Sequence, residues 1–489
     1  MQIVTGDPAY TPPSIINAGV IKVDEKFELD GLNLIIKPDP ESFRAPTMEE
    51  LIKNEYALED INAGFLLSNK VNIAAPSFDF GNNTVGIDPL FTQGTNARVY
   101  KFENVFDPTT PEGGPNTGKV AVKSGSLTFD AIPVTNDKGK IDIWMEKINY
   151  NEFTQGSWQN EFAGNIEGNY LNATGDALKL YDRLDLITEK NELYKRFDQL
   201  AGSVYANINQ RESDIAGVFE NSLYLLQDSK NNTKENVKIN VITGQGKMKD
   251  DTAGVTGYDF GTVGVLALRE VERTYKHTFG YSLGYLHTSF EMDDNNNSEE
   301  WVDTIQLGVH NKYTVSGWIL RNDLTGRASI HNIDRNIDWA DGRSEMNGFY
   351  ETYSITSDNK LGKEVLGGKN VSITPYAGLK AMYVTRPSFE EKGLEKLQVE
   401  GNDAWSVKPK VGFEFKASTN ESKNGWKLKG ALDITYEYEL ANLNTQEKAR
   451  LVSLEDGYHN LAKPEEENGR LRTKVVIGTE IEDRYGIFL

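Results

Sequence analysis

The chain has 489 residues, no cysteine and a formal net charge of -21, from 73 Asp and Glu against 52 Lys and Arg. Without thiols there is no disulfide framework, thiolate metal site or cysteine nucleophile, and the acidic balance argues against nucleic acid, whose phosphates need a basic face. The length predicts two or more units.

No run of about 18 apolar residues is present to form a membrane helix. The opening MQIVTGDPAYTPPS lacks the basic-then-apolar order of a secretory signal, so an exported chain is expected to be a fragment. Residues 1–165 show short alternating runs, such as Ile21 and Val23, then Leu32, Leu34 and Ile36, then Val120, Val122, Leu127 and Phe129. They suit the last rungs of a β-solenoid, although no fixed repeat length is visible. A helix is predicted at about 47–62, where Thr47 and Glu50 have capping-box spacing.

Residues 166–232 change to helical periodicity, carried by Leu178, Tyr181, Leu184, Leu193, Phe197, Leu200, Ile215 and Phe219. Breaks are expected at Asn191, Gly202 and Gly217. The polar side carries Arg196, Arg211, Glu212 and Asp214.

From 233 to 489, stretches of about ten residues alternate strictly between apolar and polar and are separated by Gly- and Asn-rich turns. Trp426, Leu428, Leu432, Ile434, Tyr436, Tyr438 and Leu440 share one parity, while Lys427, Lys429, Asp433, Thr435, Glu437 and Glu439 share the other. Val407, Val411, Phe413 and Phe415 alternate in the same way with Lys408, Lys410, Glu414 and Lys416. Ten such segments are expected, beginning near 237 and ending near 482, with the start of another at Tyr485.

A soluble β-sandwich alternates too, so alternation alone does not separate it from a membrane barrel. Three features favour the barrel: aromatics at strand ends, glycines on the charged faces, and long polar loops alternating with short turns. Trp301, Trp318, Trp339, Trp405 and Trp426 are the expected interfacial girdle. The polar parity would then line a lumen, with Lys408, Lys410, Glu414, Lys427, Lys429, Asp433, Glu437 and Glu439 available to pair with Arg196, Arg211, Glu212 or Asp214.

All five histidines lie beyond residue 276, so a Ser-His-Asp triad or a histidine metal site is impossible in the first 276 residues. His331 with Asp334, Asp338 and Asp341 is the one set that could act at a barrel rim, weighed against a hydrated strand end. Asp293, Asn295 and Asn297 open like a calcium loop, but Ser298 replaces the turn glycine and Thr304 the twelfth-position Glu. Gly244 and Gly246 begin a nucleotide-loop pattern that fails at Lys249. No catalytic, cofactor-binding or metal-ligating residue is assigned, and no enzyme activity.

The stretches KENVKINVITGQGK, GVLALREVERTYKHTFGYSLGYLHTSFE, EEWVDTIQLGVHNKYTVSGW, GRSEMNGFYETYSITSDN, LQVEGNDAWSVKP, ITYEYELANLN and IEDRYGIFL resemble the β-domain of type V autotransporters. The wording is nearest to large fusobacterial autotransporter adhesins, over about 170–489. The resemblance implies an all-β fold: a twelve-stranded antiparallel transmembrane barrel, of which about ten and a half strands are present here, with a lumenal helical linker and a remnant of a β-solenoid passenger. Family members continue past GIFL into a last strand that the barrel-assembly machinery reads, so the chain is expected to stop short of it, or else the strand count is wrong.

The implied function is outer-membrane export and anchoring of a surface-exposed, adhesin-type passenger. The implied partners are outer-membrane lipid, the assembly machinery, and passenger ligands on host or bacterial cells, with the chain a monomer. An outer-membrane barrel hydrolase and a soluble all-β binding protein are the alternatives.

Overall fold

The computed structural model describes residues 2–4, 14–29, 32–53, 64–110, 120–228, 234–249, 252–368, 370–454, 457–465, 468–481 and 485–488. The chain divides into two compact units, one built mainly of residues 1–201 and the other mainly of 202–489, with Trp339–Gly342 and Arg450–His459 joining the first.

In the first unit, successive turns of chain stack in parallel. Ser14–Asn17 pairs with Asn33–Ile36, that strand with Thr84–Ile87, and Thr84–Ile87 with Ala121–Ser124. Val20–Lys22, Asn72–Ala75 and the end of Val99–Pro108 stack likewise, as do Lys26–Glu28 and Ser77–Asp79. Aliphatic and aromatic side chains fill the interior, with Phe91 against Tyr100 at 4.9 Å and against Phe129 at 5.1 Å. An antiparallel pair, Phe129–Thr135 with Ile141–Lys147, follows the stack.

The predicted capping box is present: the Glu50 N–H donates to Thr47 Oγ1 and the Thr47 N–H to Glu50 Oε2. The helix it starts is Met48–Lys53, and the rest of the expected helix, 54–62, lies outside the described residues.

Helix formation begins earlier than the periodicity suggested. The helices α1 (Asn160–Asn169), α2 (Asp176–Leu184) and α3 (Lys190–Ala201) belong to the first unit. The 21-residue α4 (Ile208–Asp228) belongs to the second. Gly202 does break the run, at φ +90°. Asn191 and Gly217 do not: Asn191 sits in the first turn of α3, and Gly217 lies inside α4. A single mid-helix glycine costs only about 1 kcal/mol, which the packing of α4 offsets.

Among the described residues, the second unit carries Phe389–Glu390 and Leu397–Val399 in a small separate sheet and is otherwise built on one long antiparallel meander. Its strands are β1 (Glu235–Met248), β2 (Tyr258–Thr274), β3 (His277–Met292), β4 (Glu299–Val315), β5 (Trp318–Trp339), β6 (Gly342–Lys363), β7 (Val371–Arg386), β8 (Asn402–Ser418), β9 (Trp426–Tyr438), β10 (Gly469–Ile481) and the four-residue β11 (Tyr485–Phe488). Their spatial order is their chain order. Ten long strands and a short eleventh match the segments read from the alternation.

Which parity faces out decides what solvent this sheet is made for. On β4, Ile305, Leu307 and Val309 are exposed, Leu307 at 62%, whereas Thr304 and Gln306 are 0% and 1% exposed. β5, β6 and β9 repeat the inversion: Leu324, Ile330, Ile355 and Leu428 lie outside, and Arg327, Ser329, Thr352 and Glu437 inside. An apolar outside around a polar inside suits lipid and is the reverse of a soluble sandwich. Trp318, Trp405 and Trp426 are exposed near strand ends as an interfacial girdle requires. Trp339 is not part of it, being buried with the Arg183 and Arg196 guanidinium groups over its ring.

Candidate functional site: a charged lumen occupied by a helix

The inward side chains of the strands would be unfilled polar surface if nothing occupied the space they enclose. Helix α4 occupies it. At 1.5 Å per residue its 21 residues extend roughly 30 Å, the thickness of a bilayer's hydrocarbon core.

Arg211 is fully buried, its Nε 2.7 Å from Glu300 Oε2 on β4. The same guanidinium donates to the carbonyl of Val204 at 2.9 Å and to Asn207 Oδ1 at 2.5 Å. Glu300 accepts from the Tyr350 hydroxyl and sits 3.0 Å from His331 Nδ1. His331 Nε2 is 3.0 Å from both Glu212 Oε1 and Thr352 Oγ1, and its ring stacks on Tyr350 at 4.3 Å. Two carboxylates thus meet one guanidinium and one imidazole, all out of water, so each charge depends on the others being present.

Further along α4, Asp214 accepts from the Tyr258 hydroxyl at 2.7 Å and Glu220 pairs with Lys380 at 2.5 Å. Ser222 accepts from Asn240 Nδ2 at 2.8 Å, and Gln227 donates to Asp323 at 2.7 Å. Lys238 Nζ donates to the carbonyl of Leu226, placing a cation at the helix C-terminus where the open carbonyls favour one. Between these ties the contact is apolar: Ala216 packs in a cluster with Met382, Val384, Ala404 and Leu443. Phe219 lies against Gly284, where a Cβ would stand only 2.6 Å from the Phe219 ring.

Beside α4 a cavity of about 390 Å³ remains, lined by Glu220, Asn221, Arg321, Asp323, Asp358, Lys360, Lys410, Asp433, Glu437, Arg472 and others. Its mixed charges suit a wet lumen.

The charges assigned to the lumen from sequence do face inward, but their partners differ. Lys410 pairs with Asp358, Lys429 with Glu480, Lys408 with Glu439, Lys427 with Glu421, Asp433 with Lys360, Glu437 with Arg472, and Glu414 with Lys416. These are contacts within the sheet and its turns. The helix instead uses Glu300, His331, Tyr258 and Lys380. Arg196, expected to join it, belongs to α3 and pairs with Glu192 at 3.3 Å.

The set read as rim chemistry separates in the same way. His331 is the buried link described above, Asp334 accepts from Asn347, Asp338 pairs with Arg343, and Asp341 with Arg183. In the loop read against a calcium site, Asn296 and Ser298 bond to Asn336 and Asp294. Gly246 faces the Phe260 ring, where a side chain would collide.

The family model of the autotransporter β-domain matches residues 237–489, just over half of the 489 residues, and that of the BigA β-sandwich domain matches residues 60–149. A search of curated protein sequences returns no match. Solved structures similar to this chain include the translocator domain of autotransporter NalP from Neisseria meningitidis, at 16% identity over 58% of this chain and 88% of that one, with a TM-score of 0.44. The transport unit of the autotransporter AIDA-I from Escherichia coli matches at 12% identity, covering 54% and 86%, with a TM-score of 0.34. The β domain of the Bordetella autotransporter Brka matches at 11% identity, covering 52% and 93%, with a TM-score of 0.31. With its outside made for lipid and its inside for charge, the chain belongs to the autotransporter β-domain family: an outer-membrane translocator for the export of a passenger to the cell surface.

Proposed function

We propose that α4 is the segment that stays in the lumen once export is complete, so that the barrel is both conduit and anchor. The observation that carries this is the fully buried group Arg211, Glu212, Glu300 and His331, which ties helix to wall through charges that cannot be left unpaired without a large penalty. Residues 1–165 are then the last part of the passenger, 166–232 the helical linker and 233–489 the translocator. Parallel stacking within the first unit supports the first assignment.

The passenger is adhesin-type and meets partners on host or bacterial cells, and the translocator is a monomer assembled by the barrel-assembly machinery. These readings rest on the sequence resemblance. Export itself asks for no catalytic residue, and His331, the residue singled out for rim chemistry, has both ring nitrogens engaged.

The cysteine-free chain offers a direct test. In Ser222→Cys combined with Asn240→Cys, the sulfurs take the places of Ser222 Oγ and Asn240 Cγ, the latter one bond back from the Nδ2 that lies 2.8 Å from that Oγ, and a disulfide is expected to form in membrane-extracted protein. Two free thiols in folded protein would place α4 outside the lumen and refute the anchor.

A further inference from the structure

The first unit buries a lysine and an aspartate that export does not use. Lys147 ends the strand Ile141–Lys147, and Asp185 follows the last residue of α2. Lys147 Nζ lies 3.1 Å from Asp185 Oδ1, with the two side chains 0% and 1% exposed. Oδ1 also accepts from the Tyr150 hydroxyl at 2.6 Å and the Thr128 hydroxyl at 2.7 Å, and Oδ2 from the Tyr170 hydroxyl at 2.9 Å. The amine stands 3.6 Å over the centre of the Tyr150 ring.

We propose that Lys147 and Asp185 condense in the folded unit into an intramolecular amide joining Nζ to Cγ.

Two buried ions each carry a desolvation cost of several kcal/mol. The amide removes both charges, so burial drives the reaction forward and also excludes the water that would reverse it. Moving one proton from the ammonium to the carboxylate gives a free amine and a carboxylic acid with no proton taken from outside. Burial pushes the Lys147 pKa below the ordinary lysine value, towards that amine, although Asp185 and Glu167 pull the other way. Burial also pushes the Tyr150 and Tyr170 phenols well above their usual range, so both keep their protons and remain donors.

The Nζ lone pair then adds to Cγ. The oxygens of the tetrahedral intermediate are held by the three hydroxyls already aimed at them, as an oxyanion is held by preorganised donors. One C–O bond breaks, and that oxygen leaves with two protons as water. The fixed approach of Nζ supplies what would otherwise be the entropic cost of bringing the groups together.

The test is the intact mass of the full chain, isolated with its N-terminal unit resistant to limited proteolysis. The expected result is a mass below that of the sequence by one water, together with a branched peptide linking the segments that carry Lys147 and Asp185. Lys147→Arg, which keeps the charge but not the nucleophile, is expected at its full sequence mass. Asp185→Asn is expected to lose one ammonia instead of one water, because the same attack would expel the amide nitrogen. A native chain at full sequence mass overturns the proposal, and so does a lost water that maps anywhere else, such as to a succinimide.

Discussion

Positions 306 and 307 are adjacent in the chain and opposite in fate, one pointing into the lumen and the other into lipid. Leu307→Arg is expected to cost about 2 to 4 kcal/mol, the range for a cation placed at the midplane of a barrel's lipid face. Asn221→Arg, which enters the hydrated cavity, should change stability by about 0.5 kcal/mol or less. Equal shifts of the urea midpoint for the two, in protein reconstituted into bilayers, would contradict the assignment of Leu307 to the lipid face. Arg211→Ala leaves Glu300 without its guanidinium and is expected to cost about 3 to 5 kcal/mol in the same assay.

Two groups of the first unit make its stability depend on pH in opposite senses. Burial holds His459 at about 4, its Nε2 against the carbonyl of Ala201. Between that value and about 6.5 the unfolded chain binds the extra proton, so acidification removes about 3 kcal/mol. Burial raises Asp198 to about 6. Between about 3.9 and that value the folded chain binds the extra proton, so raising the pH removes up to about 3 kcal/mol. Asp198→Asn should therefore leave stability rising from pH 4 to 6.5, and His459→Gln should leave it falling over pH 4 to 6, read by hydrogen exchange of the Ile141–Lys147 amides. Slopes of the same sign in both variants would contradict this assignment.

At this scale the sequence told which side chains face inward, because parity along a strand is local. It did not tell which charges meet. Arg211 and Glu212 were recognisable on the helix, but their partners Glu300 and His331 lie on strands whose distance from α4 no one-dimensional pattern encodes.

Among elements, the strands were the most legible, since ten alternating segments carry their own boundaries in Gly- and Asn-rich turns. The helices were less so. Gly202 broke the run because it adopts a left-handed conformation, whereas Gly217 did not, because packing outweighed propensity. Gly284 marks a place where the helix packs tightly against the wall. Gly284→Val should overpack against Phe219 and Leu266 and cost about 1 to 3 kcal/mol, with α4 becoming accessible to protease while the strands stay protected. A variant as resistant as the native chain would show that the helix has room to shift.

For the whole molecule, the mean hydropathy of -0.52 looks like that of a water-soluble protein. Averaging hides what alternation reveals, because half of each strand is polar by design and both loops and lumen are hydrated. The full chain is expected to need detergent for extraction and to migrate differently before and after boiling, as folded barrels do.

The arrangement of ties along α4 also determines how the molecule bears mechanical load. They run from Arg211 and Glu212 through Glu220 and Ser222 to Gln227, along nearly the full length of the helix. A pull on the N-terminal end of α4 therefore loads them side by side in shear, so no single tie takes the force first as it would in peeling. Forced release is then governed by a rate at which many contacts must fail together, and a surface protein under flow would hold far longer than the strength of any one pair suggests.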